Sequence, residues 1–141
     1  MSIEIKYTDN GTGVIFYGNS KVTGEEIIEA NLKVFSSKEK AMQYKYGIVD
    51  FSSADKLIIT DAEMDIIVKQ NELAAKITPG RIIAVVGEKD DIFGIAKMWK
   101  AYVDAINWET SVFNSRDKTE EWVKERVKTK FGIDLTFLQL E

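Results

Sequence analysis

The residues best suited to chemistry fall in one stretch, Asp50-Phe-Ser-Ser-Ala-Asp55, and in the helix start beyond it at Thr60-Asp61. Three carboxylates (Asp50, Asp55, Asp61) and three hydroxyls (Ser52, Ser53, Thr60) lie there. Read as the loop after a strand, the stretch sits where open sheets with helical crossovers build their sites, at the carboxyl ends of strands. Oxygen ligands of this kind suit Mg²⁺ or Ca²⁺ if they converge on one point. The plainer reading is a polar loop beside a helix cap. A threonine at the N-cap accepts a free backbone amide, and acids in the first turn meet the positive end of the helix dipole. No metal, cofactor or catalytic residue is assigned on this pattern. A third reading makes the hydroxyls phosphate acceptors, because added negative charge is favourable at a helix N-terminus and changes the surface beside it. Thr60 with Asp61 is the best-placed switch region, with Ser52 and Ser53 behind it.

Much of the usual catalytic vocabulary is missing. The chain has no His and no Cys, which removes the commonest general base, the commonest metal ligand, thiolate nucleophiles and disulfides together. The segment Gly87-Glu-Lys-Asp-Asp91 offers one glycine and two adjacent acids. A phosphate-binding turn needs several glycines and a Gly-Lys-Ser/Thr ending. The expectation is that the protein is not an enzyme; metal-assisted hydrolysis by the carboxylates ranks third among the functions considered.

The segment from Asp90 to Ile106 carries the other candidate site. At 100° per residue, Asp90, Lys97, Lys100 and Asp104 crowd into one narrow sector, with Phe93 beside them, and apolar residues fill most of the rest. A helix on a sheet normally covers a stripe a little over ~100° wide, and this apolar arc is about twice that. Neighbouring helices are the favoured cover; otherwise the excess marks a dimer contact, a partner groove or an apolar ligand pocket. Phe93, Met98, Trp99 and Tyr102 are the side chains that would form such a pocket or interface.

The elements that must hold these residues follow from periodicity. Ile3, Ile5 and Tyr7 alternate with Glu4, Lys6 and Thr8 as in a half-solvated strand. Asp9-Asn10-Gly11 can then turn the chain into a returning strand from Val14 to Gly18. Thr23-Gly-Glu-Glu26 is a capping box opening a helix to about Phe35, and Ser36 to Lys40 reads as solvated linker. A third strand spans Lys45 to Phe51. Thr60 opens the helix Asp61 to Ile77, with Asp65, Lys69, Glu72 and Lys76 on one face and Ile66, Ile67, Leu73, Ala74 and Ile77 opposite. Pro79-Gly80 ends it and introduces the apolar strand Arg81 to Gly87, which should be covered on both faces. A strand at Ser111 to Asn114 and a helix from Asp117 to Lys130, capped by Gly132, complete the pattern. The tail from Ile133 is apolar enough to dock on its own domain or to add a strand to another chain.

These elements predict one α/β domain over residues 1–141: an N-terminal β-hairpin, then alternating helices and strands forming a mixed five-stranded sheet with four helices. At 141 residues and with 45% hydrophobic content, the chain can bury a core without staples. A formal charge of −4 gives no overall attraction to nucleic acid. The start of the chain lacks a signal-peptide core, and no run approaches the ~18 apolar residues of a membrane span. The expectation is a cytoplasmic protein that is not transmembrane.

Three motifs carry a family resemblance. Ile48-Val-Asp-Phe-Ser52 is similar to the strand and loop that precede the regulatory helix of STAS-like, or SpoIIAA-like, proteins, whose type members are bacterial anti-sigma-factor antagonists. Ile83-Ala-Val-Val-Gly87 with Phe93-Gly-Ile-Ala-Lys-Met-Trp99 resembles a strand and helix of bacterial members of that group. Ser111-Val-Phe-Asn114 with Glu120-Glu-Trp122 resembles their closing pattern. The likeness spans most of residues 3 to 131. It implies a regulatory protein-interaction module, working on a protein partner or as a homodimer. It also implies phosphorylation at the start of the helix after the third strand, where Thr60-Asp61-Ala62 stands in place of the family's Asp-Ser-Ser-Gly. The group also resembles lipid-carrying Sec14-type folds, which makes a small apolar molecule held beneath the Trp99 helix the alternative function.

Overall fold

The computed structural model describes residues 2–137. A hairpin opens the chain: β1 (Ile3–Thr8), a single 3-10 turn at Asp9–Gly11, and β2 (Gly13–Thr23). Asp9, Asn10 and Gly11 all take positive φ, as the turn residues predict. The remaining elements are α1 (Gly24–Val34), α2 (Lys38–Gln43), β3 (Tyr46–Ile58), α3 (Asp61–Ile77), β4 (Arg81–Val86), α4 (Asp90–Val103), β5 (Trp108–Phe113) and α5 (Arg116–Phe131).

The five strands lie side by side in chain order. β1 is antiparallel to β2, and β2 to β5 are all parallel. Each parallel step moves the same way across the sheet, so right-handed crossovers stack α1, α3 and α4 on one face. α1 packs on α3, and α3 on α4. The opposite face is covered by α5 and by the segment after it. Strand residues alternate between two cores accordingly. Val14, Phe16, Phe51, Ile83 and Val85 meet the three-helix layer. Ile15, Tyr46, Ile48, Ile82 and Val86 meet Val123 and Val127 of α5. β4 is buried at every residue, as its apolar run requires.

Several sequence expectations are corrected. Five α-helices form, not four, because 38–43 winds into α2 and buries Ala41 against the domain. β2 runs five residues past Gly18, and β3 runs on to Ile58. Pairing irregularities between Tyr17 and Lys21, with Ser20 at φ 57°, let the two strands continue together. Such bulges break the period-2 signal and hide a strand's length from the sequence. On α3 the buried side is Met64, Ile67, Asn71, Ala74 and Ala75, whereas Ile66, Leu73 and Ile77 face outward.

The tail expectation is resolved for residues 133–137; residues 138–141 lie outside the described part of the chain. Leu135 is buried in the α5-side core, and Phe137 packs edge-on against Tyr46 with ring centroids 5.7 Å apart. Asp9 holds this segment. Its Oδ1 accepts from the Thr136 amide at 2.8 Å and hydroxyl at 2.9 Å, and its Oδ2 from the Phe137 amide at 3.1 Å and Tyr46 OH at 2.8 Å. Burial alone would raise the Asp9 pKa, but hydrogen bonds from Thr136, Tyr46 and Phe137 together hold it below the usual carboxylate range.

Candidate functional site

The start of α3 is a reciprocal capping box. Thr60 Oγ1 accepts from the Glu63 amide at 3.1 Å, and the Thr60 amide donates to Glu63 Oε1 at 2.9 Å. Thr23 and Glu26 make the same exchange at the start of α1. The two helix starts touch: a Cβ on Gly24 would fall 2.6 Å from Glu63 Oε1, so only glycine lets them approach. Thr60 and Asp61 are both exposed.

Ser52 and Ser53 do not join them. The expected loop at 50–55 is the middle of β3, and from Ser52 to the end of the strand at Ile58 is about 20 Å of extended chain. The three carboxylates diverge as well. Asp50 is buried on the α5 side, where its Oδ2 accepts from Arg116 Nη1 at 2.9 Å and its Oδ1 from the Ser52 amide at 2.8 Å. Arg116 also donates to Tyr17 OH at 3.1 Å and Glu120 Oε2 at 2.7 Å. These partners raise its pKa against the opposing effect of burial. Asp55 pairs with Lys89 at 3.3 Å, and Asp61 faces solvent at the helix start. Among the described residues no three His, Cys, Asp or Glu side chains are grouped to hold a metal ion.

The four residues singled out on α4 separate. Trp99 is buried, and its indole N–H donates to Asn71 Oδ1 at 2.8 Å. Phe93 is half-buried, with Lys97 Nζ 5.4 Å from its ring centre. Met98 and Tyr102 are 50% and 54% exposed, so they lie on the outer surface. A helical wheel shows how wide an apolar arc is, but not which part of it meets the sheet.

Beneath α4 there is an apolar cavity of about 100 Å³ between the sheet and the three-helix layer. Phe16, Val49 and Phe51 of the sheet and Ile67, Ala96 and Trp99 of the helices are among its walls. Gly47 and Ala96 are both among its lining residues. Two asparagines reach its edge, each with one hydrogen bond: Asn71 with Trp99, and Asn31 with Gln70 Oε1 at 2.9 Å.

Arg81 went unmarked in the sequence, yet it is the most unusual side chain near this cavity. It is 2% exposed, on the same face of β4 as Ile83 and Val85. Its Nε donates to the Tyr44 carbonyl at 3.2 Å, and its Nη2 donates to the Ala41 carbonyl. Its guanidinium carbon lies 3.6 Å from the Tyr44 ring centre and 6.0 Å from those of Phe35 and Trp108. No carboxylate pairs with it among the described residues, and Nη1 has no hydrogen-bond partner there. Burial pushes its pKa down, the expected direction for a cation out of water. Trp108, its partner in the sheet register, likewise has a buried indole N–H without an acceptor among the described residues. The available signal was position: an arginine opening an all-apolar strand shares the parity of residues that face the helices.

No protein-family model matches the chain, and no curated protein matches it. Solved structures do. An uncharacterized protein of the DUF3478 family with a SpoIIAA-like fold, from Shewanella loihica PV-4, superposes with a TM-score of 0.55 at 15% identity, over 86% of this chain and 91% of that one. The anti-sigma factor antagonist SpoIIAA in its unphosphorylated form gives 0.57 at 6% identity, over 89% and 97%. The Bacillus cell fate determinant SpoIIAA in its phosphorylated form gives 0.54 at 4% identity, over 86% and 98%. At these identities the likeness speaks for architecture alone. With its hairpin, its parallel strands in chain order and its helices on both faces, the chain has the SpoIIAA-like fold.

Proposed function

We propose that the chain is a non-enzymatic regulatory module that acts through protein–protein contact, and that the contact is made by the outer face of α3 with a second copy of the chain. One observation carries this reading: Ile66, Leu73 and Ile77, at 47%, 63% and 41% exposure, form an uncovered apolar row along α3. Beside it runs a row of alternating charge, Asp65, Lys69, Glu72 and Lys76, all exposed. Read in reverse, that row complements itself, as the two-fold contact of a homodimer requires. Met98 and Tyr102 extend the exposed apolar surface onto the adjacent α4. Thr60 caps the same helix, and a phosphate there would add charge at the end of the contact face. That two structural neighbours are the unphosphorylated and the phosphorylated form of SpoIIAA supports a contact controlled by phosphate, for which Thr60, at the end of the contact face, is the acceptor we propose.

Sedimentation velocity over a concentration series tests the proposal. The wild-type chain should dimerise, Leu73→Glu should abolish the dimer without lowering the melting temperature, and Thr60→Glu should weaken it. A wild-type chain that stays monomeric throughout would sink this reading.

The cavity beneath α4 favours a second reading, a carrier or sensor of a small apolar molecule. At about 100 Å³ it is smaller than the ~150 Å³ apolar cavity known to admit benzene, so the occupant is small. Saturable binding of xenon, read by the fluorescence of Trp99 and Trp108 on the cavity wall, supports this reading, and absence of binding rejects it.

A further inference from the structure

Two asparagines stand where amphipathic helices put apolar side chains. On α1, Asn31 lies between Ile27 and Phe35 at four-residue steps, and on α3, Asn71 follows Met64 and Ile67 along the same stripe. All of these residues line the cavity, and each asparagine is only 7% exposed. A buried amide is costly unless its polar atoms are bonded. Here each amide is bonded through one atom, and the hydrogen-bond network fixes which one. The Trp99 indole can only donate, so Asn71 accepts through Oδ1 at 2.8 Å and its Nδ2 is left over. The Ile28 carbonyl can only accept, so Gln70 donates to it through Nε2 at 3.1 Å and presents Oε1 to Asn31. Asn31 therefore donates through Nδ2 at 2.9 Å, and its Oδ1 is left over. Neither remaining atom has a partner among the described residues, and neither is sealed in the packing as Arg81 Nη1 and Trp108 Nε1 are. The apolar cavity thus carries one free acceptor and one free donor, on packed helices joined through Gln70.

We infer that the occupant of the cavity is a small neutral alcohol. Its hydroxyl donates to Asn31 Oδ1 and accepts from Asn71 Nδ2, and its alkyl end fills the apolar part of the void. The inference rests on the second reading above and adds the chemical class of the occupant. A hydroxyl both donates and accepts, which is what the two free atoms together require. A carboxylate only accepts and would meet Asn31 Oδ1 without a proton to share; an ammonium only donates and would leave Asn71 Nδ2 unmet. No charged side chain among the described residues lines the cavity to balance either ion. A hydrocarbon would bury both amide atoms unpaired. At about 100 Å³, against ~150 Å³ for an apolar cavity that admits benzene, the void holds on the order of three carbons besides the oxygen.

Proton–nitrogen NMR of the full chain, titrated with 1-propanol and separately with xenon, tests this. In the wild type, 1-propanol should bind saturably and shift the side-chain amide resonances of Asn31 and Asn71. Asn31→Ala should weaken 1-propanol about fivefold or more, the penalty of an unmet hydroxyl in an apolar site, and leave xenon no weaker. Asn71→Ala should do the same. That variant also removes the acceptor of the Trp99 indole, so Asn31→Ala decides the matter if it does not fold. Xenon bound without 1-propanol overturns the hydroxyl site while leaving the cavity reading intact. Binding of neither overturns both. A 1-propanol affinity that is unchanged in folded Asn31→Ala, or that falls together with the affinity for xenon, removes the asparagine pair from the site.

Discussion

The two faces of the sheet are built from alternate residues of the same strands, yet they are finished differently. On the α5 side, Ile15, Tyr46, Ile48, Ile82, Val86, Val123 and Val127 are closed to solvent, and the segment around Leu135 seals the edge. Several polar groups there are paired: Asp50 with Arg116, Glu109 Oε1 with Arg126, and Tyr46 with Thr8 and Asp9. On the three-helix side, a void remains between layers, two buried N–H donors lack acceptors among the described residues, and the outer helix faces expose large apolar side chains. The packing slack lies on this side, but unmet polarity does not divide the same way, since Glu109 Oε2 on the α5 side also has no hydrogen-bond partner among the described residues. A dense core resists change, whereas a void leaves its walls room to adjust. The contact surface and the cavity of the two proposed functions both lie on the three-helix face, opposite the denser α5 face.

The largest expected effect sets the two cores against each other. Tyr46 is fully buried, crosses the hairpin so closely that a Cβ on Gly13 would fall 2.0 Å from its ring, and ties Thr8 and Asp9. Tyr46→Ala should cost about 4 kcal/mol in urea unfolding. Ile67→Ala on the cavity wall should cost about 2 kcal/mol, because a residue beside a void has fewer neighbours to lose. Equal losses would break the comparison.

Overpacking sharpens the comparison from the other direction. Ala84 and Ala96 are both buried, the first against α5 and the second on the cavity. Ala84→Ile should destabilise by about 2 kcal/mol, as insertion into a filled core does. Ala96→Ile should cost less than about 1 kcal/mol, since its added carbons enter space already empty. It should also abolish xenon binding. A cost at Ala96 as large as at Ala84 would mean that the void is too narrow to use.

What the sequence disclosed and what it withheld divide along similar physical lines. Local chemistry was legible: the capping boxes at Thr23 and Thr60, the left-handed turn at Asp9-Asn10-Gly11, and Gly132 at φ 70° ending α5. Each depends on residues within four positions of one another. The five-strand mixed sheet followed from alternation, which is also a local signal. The extended strands were hidden because bulges near Ser20 shift the period, and with them went the loop proposed for Ser52 and Ser53. The candidate site was half legible. Trp99 was marked and does wall the cavity, whereas Met98 and Tyr102 were marked and face outward. Arg81 offered only its parity on an apolar strand and Trp108 offered nothing, because an unpaired group shows only once its neighbours are placed.

The smallest effect probes the seal of the closed face through pH. The folded Asp9 pKa is depressed below its unfolded value, so its contribution to stability is fully present above the ordinary carboxylate range. It is lost as pH falls through the folded value, below about pH 4. The group is half-buried, so solvent screening keeps the expected size under about 1 kcal/mol. Urea midpoints followed from pH 7 down to pH 3 should fall less steeply in Asp9→Asn than in the wild type, with the two curves meeting at the acid end. Asn keeps one acceptor for the Thr136 and Phe137 amides but cannot titrate, which separates loss of charge from loss of the bond. Parallel curves over the whole range would show that Asp9 does not hold residues 133–137 against Tyr46 by its charge. The α5 face would then owe its closure to the burial of Leu135 and Phe137, and the contrast between the two faces would be one of packing alone.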